Sequence, residues 1–196
     1  MSANTQALLQ LKGVHAHYGK SHILHGVDFH VAQGEVVSLL GRNGSGRSTT
    51  MKTIMGIVQP TGGEILLQGK RIDGTRSFEI CRAGIAFVPE EREVFANLTV
   101  DENLRMGEQA ARGERVQWSV EQMCDYFPRL KERRNTKAGS LSGGEQQMLT
   151  TCRSLLGNPL VILIDEPTEG LAPKIVQVVG EVIRDIHSKG VSVVLV

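Results

Sequence analysis

The chain has 196 residues, 40% of them hydrophobic and 22% charged, with a formal net charge of +1. That length suits one domain with room for an inserted subdomain, and the composition supports a buried core rather than disorder. A near-neutral balance supplies no overall basic field, which argues against nucleic acid as a partner. Cys81, Cys124 and Cys152 are odd in number and include no CxxC pair. They fit reduced thiols better than a disulfide framework or a zinc site. The start, "MSANTQALLQLKG", lacks the charged opening and long apolar run of a secretion signal. No apolar stretch approaches the roughly 20 residues that span a bilayer, so a membrane role would come through a partner.

Strand-like runs come first, at 8–14 and at 23–31, the second with alternating apolar and polar positions. Residues 32–35 read as a turn and 35–40 as a buried strand. A helix is predicted from Arg47 to Met55, broken by "QPTGGE", with another short strand at 64–67. Early strands joined by turns suggest an antiparallel layer. Residues 85–88 read as a strand ending at Pro89, and 99–127 as helical. The basic stretch "RLKERRNTK" (129–137) reads as a solvated linker. A helix follows Gly144 to about Leu156, then a fully apolar strand at 161–164. Pro173 opens a long amphipathic helix whose buried face carries Ile175, Val179, Val182 and Ile186. Strand, helix, strand in this order implies a parallel sheet with crossover helices. The sequence closes on the apolar run "VSVVLV", which looks like an interrupted domain.

Three segments carry chemistry. "GRNGSGRS" (41–48) has the spacing of a phosphate-binding loop, with a strand before it and a helix after it. Gly41, Gly44 and Gly46 let the backbone turn its N–H groups onto phosphate oxygens, with Arg42, Asn43 and Ser45 between them and Thr49 beyond. The helix N-terminus adds partial positive charge, and Ser48 can offer its hydroxyl to Mg²⁺. The lysine expected before that serine is Arg47 here. In "VILIDEP" (161–167), four apolar residues place Asp165 at the C-terminal end of a buried strand, where open α/β sheets hold ligands. Asp165 is thus a candidate to hold Mg²⁺ and Glu166 to orient or deprotonate an attacking water. In "LSGGEQQ" (141–147), Ser142 and Glu145 form a capping box. A similar box at 99–102 is read as structural only. The first differs because Gly143 and Gly144 bare backbone N–H groups at a helix start, a second anion site able to face a phosphate on another subunit.

These three segments, in this order, resemble the ATP-binding subunit of an ABC transporter, over nearly the whole chain. "FVPEEREVFANLTVDENL" (87–104) and "DEPTEGLAP" (165–173) are similar to the branched-chain amino acid importer branch. The resemblance implies a P-loop α/β core with parallel sheet and antiparallel layer at about 1–90 and 155–196. A helical insertion at about 91–154 completes it. It implies ATP and Mg²⁺ as cofactors and ATP hydrolysis that powers import through transmembrane permease subunits. A second ATP-binding subunit, identical or not, would pair with it, and a periplasmic binding protein would act indirectly. Its place would be peripheral, on the cytoplasmic face of the inner membrane. Tyr18 then stands where an aromatic ring stacks on adenine. Glu90 stands where most such ATPases carry a glutamine that touches Mg²⁺ and senses the permease. Ser142, Gly143 and Gly144, with Glu145, would meet the γ-phosphate held by the opposite subunit, and "EGLAP" (169–173) would cross the dimer interface.

Two departures from the family matter. One is Arg47, which supports an alternative reading as a nucleotide-binding subunit with impaired hydrolysis. The other is the family's switch residue, expected just past the strand that closes this sequence. Urea and short-amide importers have similar cassettes and stand as a further alternative. Soluble ABC ATPases of ribosomes or DNA repair usually carry two cassettes or long coiled-coil insertions, and neither is present. Of the histidine pairs, His22 with His25 and His15 with His17, none has a carboxylate or cysteine to complete a ligand set, so no metal is expected there.

Overall fold

The computed structural model describes residues 7–110, 117–171 and 173–196. Residues 1–6, the middle of the helical stretch expected at 99–127, and Ala172 of "EGLAP" lie outside it. Two four-stranded sheets form the frame. Strands β1 (Leu9–Tyr18), β2 (Ser21–Val31), β4 (Pro60–Leu67) and β5 (Lys70–Arg71) build an antiparallel sheet in the order β2-β1-β4-β5. Strands β3 (Val36–Ser38), β6 (Ile85–Val88), β7 (Val161–Ile164) and β8 (Ser192–Leu195) build a parallel sheet in the order β3-β8-β7-β6.

The parallel sheet explains the apolar runs. Val161 and Leu163 of β7 face a core shared with the antiparallel sheet, through Leu9, Leu11 and Ile65, and with α1 (Arg47–Ile54), through Met51 and Ile54. Ile162 and Ile164 face a second core. It contains Leu104 of α3 (Val100–Gly107), Met148 and Leu149 of α6 (Gly143–Leu155), and Val182 and Ile186 of α7 (Pro173–Ser188). A strand covered on both faces has no solvent side to mark with polar residues. Each buried Val, Leu or Ile contributes about 1.5–3 kcal/mol, so β7 is strongly fixed.

Several sequence expectations shift. The run at 35–40 is not a buried strand: β3 holds three residues at the sheet edge, with Val36 40% exposed. One flank of an edge strand lacks a partner, which explains its exposure. β1 extends to Tyr18, and β4 starts at Pro60, inside the segment read as a break. Here glycine is required for close approach, because a Cβ on Gly63 (φ +86°) would collide with the Lys12 and Gly13 carbonyls of β1. The helix α2 (Ser77–Ala83) was not expected. The stretch 129–137 is not a free linker. Its first part lies in α5 (Pro128–Glu132), which follows α4 (Val120–Tyr126), and Leu130 is fully buried. Arg133 and Arg134 then reach Glu145 and Asp101.

The helical part is locked to the loop that follows β6 by Asn103, which is fully buried. Its side chain accepts from Phe95 N at 2.9 Å and donates to Phe95 O at 3.0 Å and Thr99 O at 2.9 Å. Arg153 of α6 donates to the same carboxamide oxygen at 3.3 Å. Substituting Asn103→Ala would orphan several of these groups, each worth about 1–3 kcal/mol when buried unpaired. The expected loss is about 2–3 kcal/mol of unfolding free energy, read as a lower urea midpoint with an unchanged slope.

Candidate functional site

The glycine loop leaves the C-terminal edge of β3 and feeds α1. Gly44 and Gly46 hold φ of +81° and +91°, backbone that side chains rarely adopt. Gly46 caps α1, and its carbonyl accepts from Thr50 N at 2.8 Å and from the buried Thr50 hydroxyl at 2.9 Å. A Cβ on Gly46 would lie 2.8 Å from Leu24 Cδ2, and one on Gly41 would press on Ser45 Oγ at 2.5 Å. The loop is therefore folded tightly on itself and against β2. Tyr18, 49% exposed at the tip of the same β1–β2 hairpin, stands opposite Ser21. Gly41, Arg42, Asn43, Gly44 and Ser45 face solvent, where a phosphate can reach them.

Two contacts join this loop to the end of β7. Ser48 Oγ donates to Asp165 Oδ1 at 3.0 Å. Burial pushes the Asp165 carboxyl up, against the Ser48 hydrogen bond and the nearby Lys52 ammonium. Two hard oxygens about 3 Å apart match one edge of an octahedron with ligand distances of 2.0–2.1 Å. This donor pair fits Mg²⁺, and such a cation would also favour the ionised carboxylate. Arg47 Nη2 meets Glu166 Oε1 at 3.1 Å and Asn43 Oδ1 at 3.2 Å. Glu166 itself sits at φ +46°, a conformation that costs a non-glycine residue about 1–3 kcal/mol. The strained turn after β7 thus aims its carboxylate back at the loop.

The turn at 142–144 lies elsewhere and is built differently. Ser142 caps α6, and Glu145 Oε2 accepts from Ser142 N at 2.9 Å and from its hydroxyl at 2.8 Å. Burial opposes the charge on Glu145, but the Ser142 bonds and the Arg133 and Arg129 guanidinia outweigh it and hold the carboxyl low. Glu145 clamps the turn from within. Gly143 is pressed by the Arg92 guanidinium, into which a Cβ would collide, and Gly144 lies against Leu171 and Ile175.

Between these two regions is a cavity of about 410 Å³, lined by Glu90, Glu91, Arg92, Gln147, Glu166, Glu169 and Gly170. Burial, followed by the carboxylates of Glu169, Asp165, Glu91 and Glu166, raises the Glu90 carboxyl. Arg92, at φ +28°, donates weakly to the Glu169 carbonyl at 3.4 Å. The Gln147 carboxamide is buried without a partner among the described residues. The structure therefore brings Ser48, Asp165, Arg47 and Glu166 together, and sets Glu90 beside Glu166 across the cavity. Arg92 and Gln147 were not foreseen. Their one signal was the placement of Gln147 a helical turn beyond Gly143, on the same face.

A methyl group at Gly46 tests the loop. Leu24 can swing aside, but φ +91° remains strained for alanine, by about 1–3 kcal/mol. Gly46→Ala should weaken binding of a fluorescent adenine nucleotide about tenfold or more, since 1.4 kcal/mol is a factor of ten. Unchanged affinity in a titration would show that the loop conformation does not set binding.

Comparison with known proteins agrees with this geometry. Residues 24–169 match the family model described as ABC transporter. The high-affinity branched-chain amino acid transport ATP-binding protein BraG of Pseudomonas aeruginosa is 44% identical over 96% of this chain and 81% of its own length. A probable branched-chain amino acid transport ATP-binding protein, LivF of Archaeoglobus fulgidus, is 36% identical over 88% of this chain and 73% of its own. Among solved structures, the ADP conformation of an ATP-binding cassette from an ABC transporter superposes with a TM-score of 0.81 at 25% identity. It covers 97% of this chain and 81% of that one. With a phosphate loop, an Asp–Glu strand end and a capped diglycine turn placed on one fold, the chain belongs to the ABC transporter family, as an ATPase cassette coupled to transport.

Proposed function

We propose that this cassette hydrolyses Mg-ATP to drive import of branched-chain amino acids through a membrane permease. The observation that carries the reading is the Ser48–Asp165 hydrogen bond, which joins the phosphate loop to the strand-end carboxylates. The likeness to BraG and LivF supports the solute class. In this reading the loop N–H groups and the N-terminus of α1 hold the phosphates. Tyr18 would cover the adenine, and Ser48 and Asp165, with Glu90, would hold Mg²⁺, which would neutralise phosphate charge. Glu166 orients the attacking water. The 142–144 turn completes the site of a second cassette. The permease docks beside Glu90 and α3, where Phe95 is half exposed under the Arg153 guanidinium. Among the described residues no helix is long and apolar enough to cross a membrane; in this reading the cassette sits on the cytoplasmic face, held by its permease.

The dimer reading is tested with Glu166→Gln, which keeps size and removes the base. This variant should sediment as a dimer with Mg-ATP and as a monomer without it. A monomer carrying bound nucleotide would overturn the role given to the 142–144 turn.

A second reading, slow hydrolysis, draws on the Arg47–Glu166 pair. Arginine keeps the charge of lysine but in a planar fork, and here one arm of that fork holds the carboxylate needed for water. Glu166 must leave Arg47 before it can act, and the guanidinium must follow the developing charge of the transition state. Misplacement of about 1 Å can cost on the order of 100-fold. Steady-state ATP turnover of Arg47→Lys should therefore exceed that of the parent by about tenfold or more. Equal rates would show that the loop accepts arginine without loss.

A further inference from the structure

Four imidazoles that take no part in the nucleotide site meet on one face of the β1–β2 hairpin. The antiparallel register sets His15 opposite His25 and His17 opposite His22, and cross-strand partners hold their Cβ atoms about 4.5–5.5 Å apart. His22 is the hub. Its ring centroid lies 4.1 Å from His17, with planes 6° apart, 3.8 Å from His25 and 5.2 Å from His15. His15 Nδ1 and His22 Nε2 are 3.1 Å apart.

Two features suit these rings to a metal rather than to mutual packing alone. Two nitrogens, each about 2.0–2.1 Å from a shared ion, stand about 2.9–3.4 Å apart at the angles of square-planar to tetrahedral coordination. The observed 3.1 Å falls inside that span. The rings are also held in place: the Leu24 backbone hydrogen-bonds His22, and Thr61 Oγ1 of β4 lies 2.9 Å from Nδ1 of the stacked His17.

We propose that His15 Nδ1 and His22 Nε2 form a two-imidazole site for a borderline divalent ion, Ni²⁺, Zn²⁺ or Cu²⁺, with His17 and His25 as its walls. As the rings stand, no three histidine, cysteine or carboxylate groups among the described residues converge on one ion, so water completes the coordination. The ion takes the place of the hydrogen bond between the two rings. The proton on His15 Nδ1 moves to Nε2 through solvent, and no net proton is released. Gly26, which has no side chain, lies beside that atom, where a Cβ would press on His15 Nε2 at 3.3 Å. The bound ion bridges neighbouring strands three residues before Tyr18, at the tip of the same hairpin.

Calorimetric titration of the untagged, nucleotide-free chain with Ni²⁺, its cysteines kept reduced by a phosphine, should show saturable binding of one ion. His15→Gln and His22→Gln should each weaken it by at least the roughly tenfold that loss of a supporting partner alone costs. His30→Gln, on β2 outside the cluster, should leave it unchanged, and Zn²⁺ should compete. In the unsubstituted chain, Ni²⁺ should broaden the ring proton signals of His15 and His22 first, a readout that needs no variant to fold. Absence of saturable binding, equal binding by the His22→Gln chain, or broadening centred elsewhere would each overturn the assignment.

Discussion

Burial of β7 on both faces is the constraint from which the rest of the site follows. Val161 and Leu163 are held by the antiparallel layer and α1, while Ile162 and Ile164 are held by the helices of the second core. Sliding the strand by one residue would exchange these two sets and open both cores. Its end is therefore fixed, and with it the height at which Asp165 leaves the sheet. The neighbours in the sheet fix it further, since β6 and β8 pair along the whole of β7. Asp165 N donates to the Val88 carbonyl at 2.9 Å, so the pairing continues up to the functional carboxylate itself. A packed apolar strand thus delivers a polar group to a defined point.

The Arg47–Glu166 contact shows what happens when two such precise deliveries meet. The loop and the strand end each point a side chain into the gap, where opposite charges find each other at 3.1 Å. Both side chains are partly exposed, so the pair adds little stability by itself. Its importance is positional. Asn43 holds the other side of the guanidinium's Nη2 group, so Arg47 is steered from within the loop toward the carboxylate rather than held over the phosphate seat. Both contacts use the same Nη2 nitrogen, at the far end of a rigid planar group that lysine lacks.

Much of this was legible in the sequence, and the limits have physical causes. The loop, β7, β6 and the span of α6 could be read because glycine spacing, a short apolar run before Pro89 and a capping box are local signals. The antiparallel layer was also recognisable from turns without helices between strands. What failed depended on neighbours. The strand at 35–40 was read as buried because it is apolar, yet only its place at the sheet edge decides exposure. The stretch 129–137 was read as linker from its charge, although Leu130 anchors it and Asp101 and Glu145 face its arginines. The histidines were weighed in pairs along the chain. Strand pairing at His15–His25 and His17–His22 made them a group of four, and no spacing rule along one strand reveals a cross-strand cluster.

The cavity between the two halves of the site carries the same logic one step further. Glu90, Glu91, Glu166 and Glu169 place four carboxyl groups around a space whose lining holds one cation among the described residues, Arg92, while Arg47 and Lys52 reach Glu166 and Glu91 from outside it. The raised Glu90 carboxyl records the resulting crowding of negative charge. Gln147, buried there without a partner among the described residues, carries a penalty of about 1–3 kcal/mol for an unmade bond. Arg92 and Glu166 add strained backbone on two sides of the same space. A single subunit that was complete in itself would have little reason to concentrate like charge, an orphaned amide and two left-handed residues at one place. Positive charge or donors from a second cassette, as proposed above, would ease the crowded carboxylates and the orphaned amide, whereas the backbone strain at Arg92 and Glu166 is carried by this chain alone.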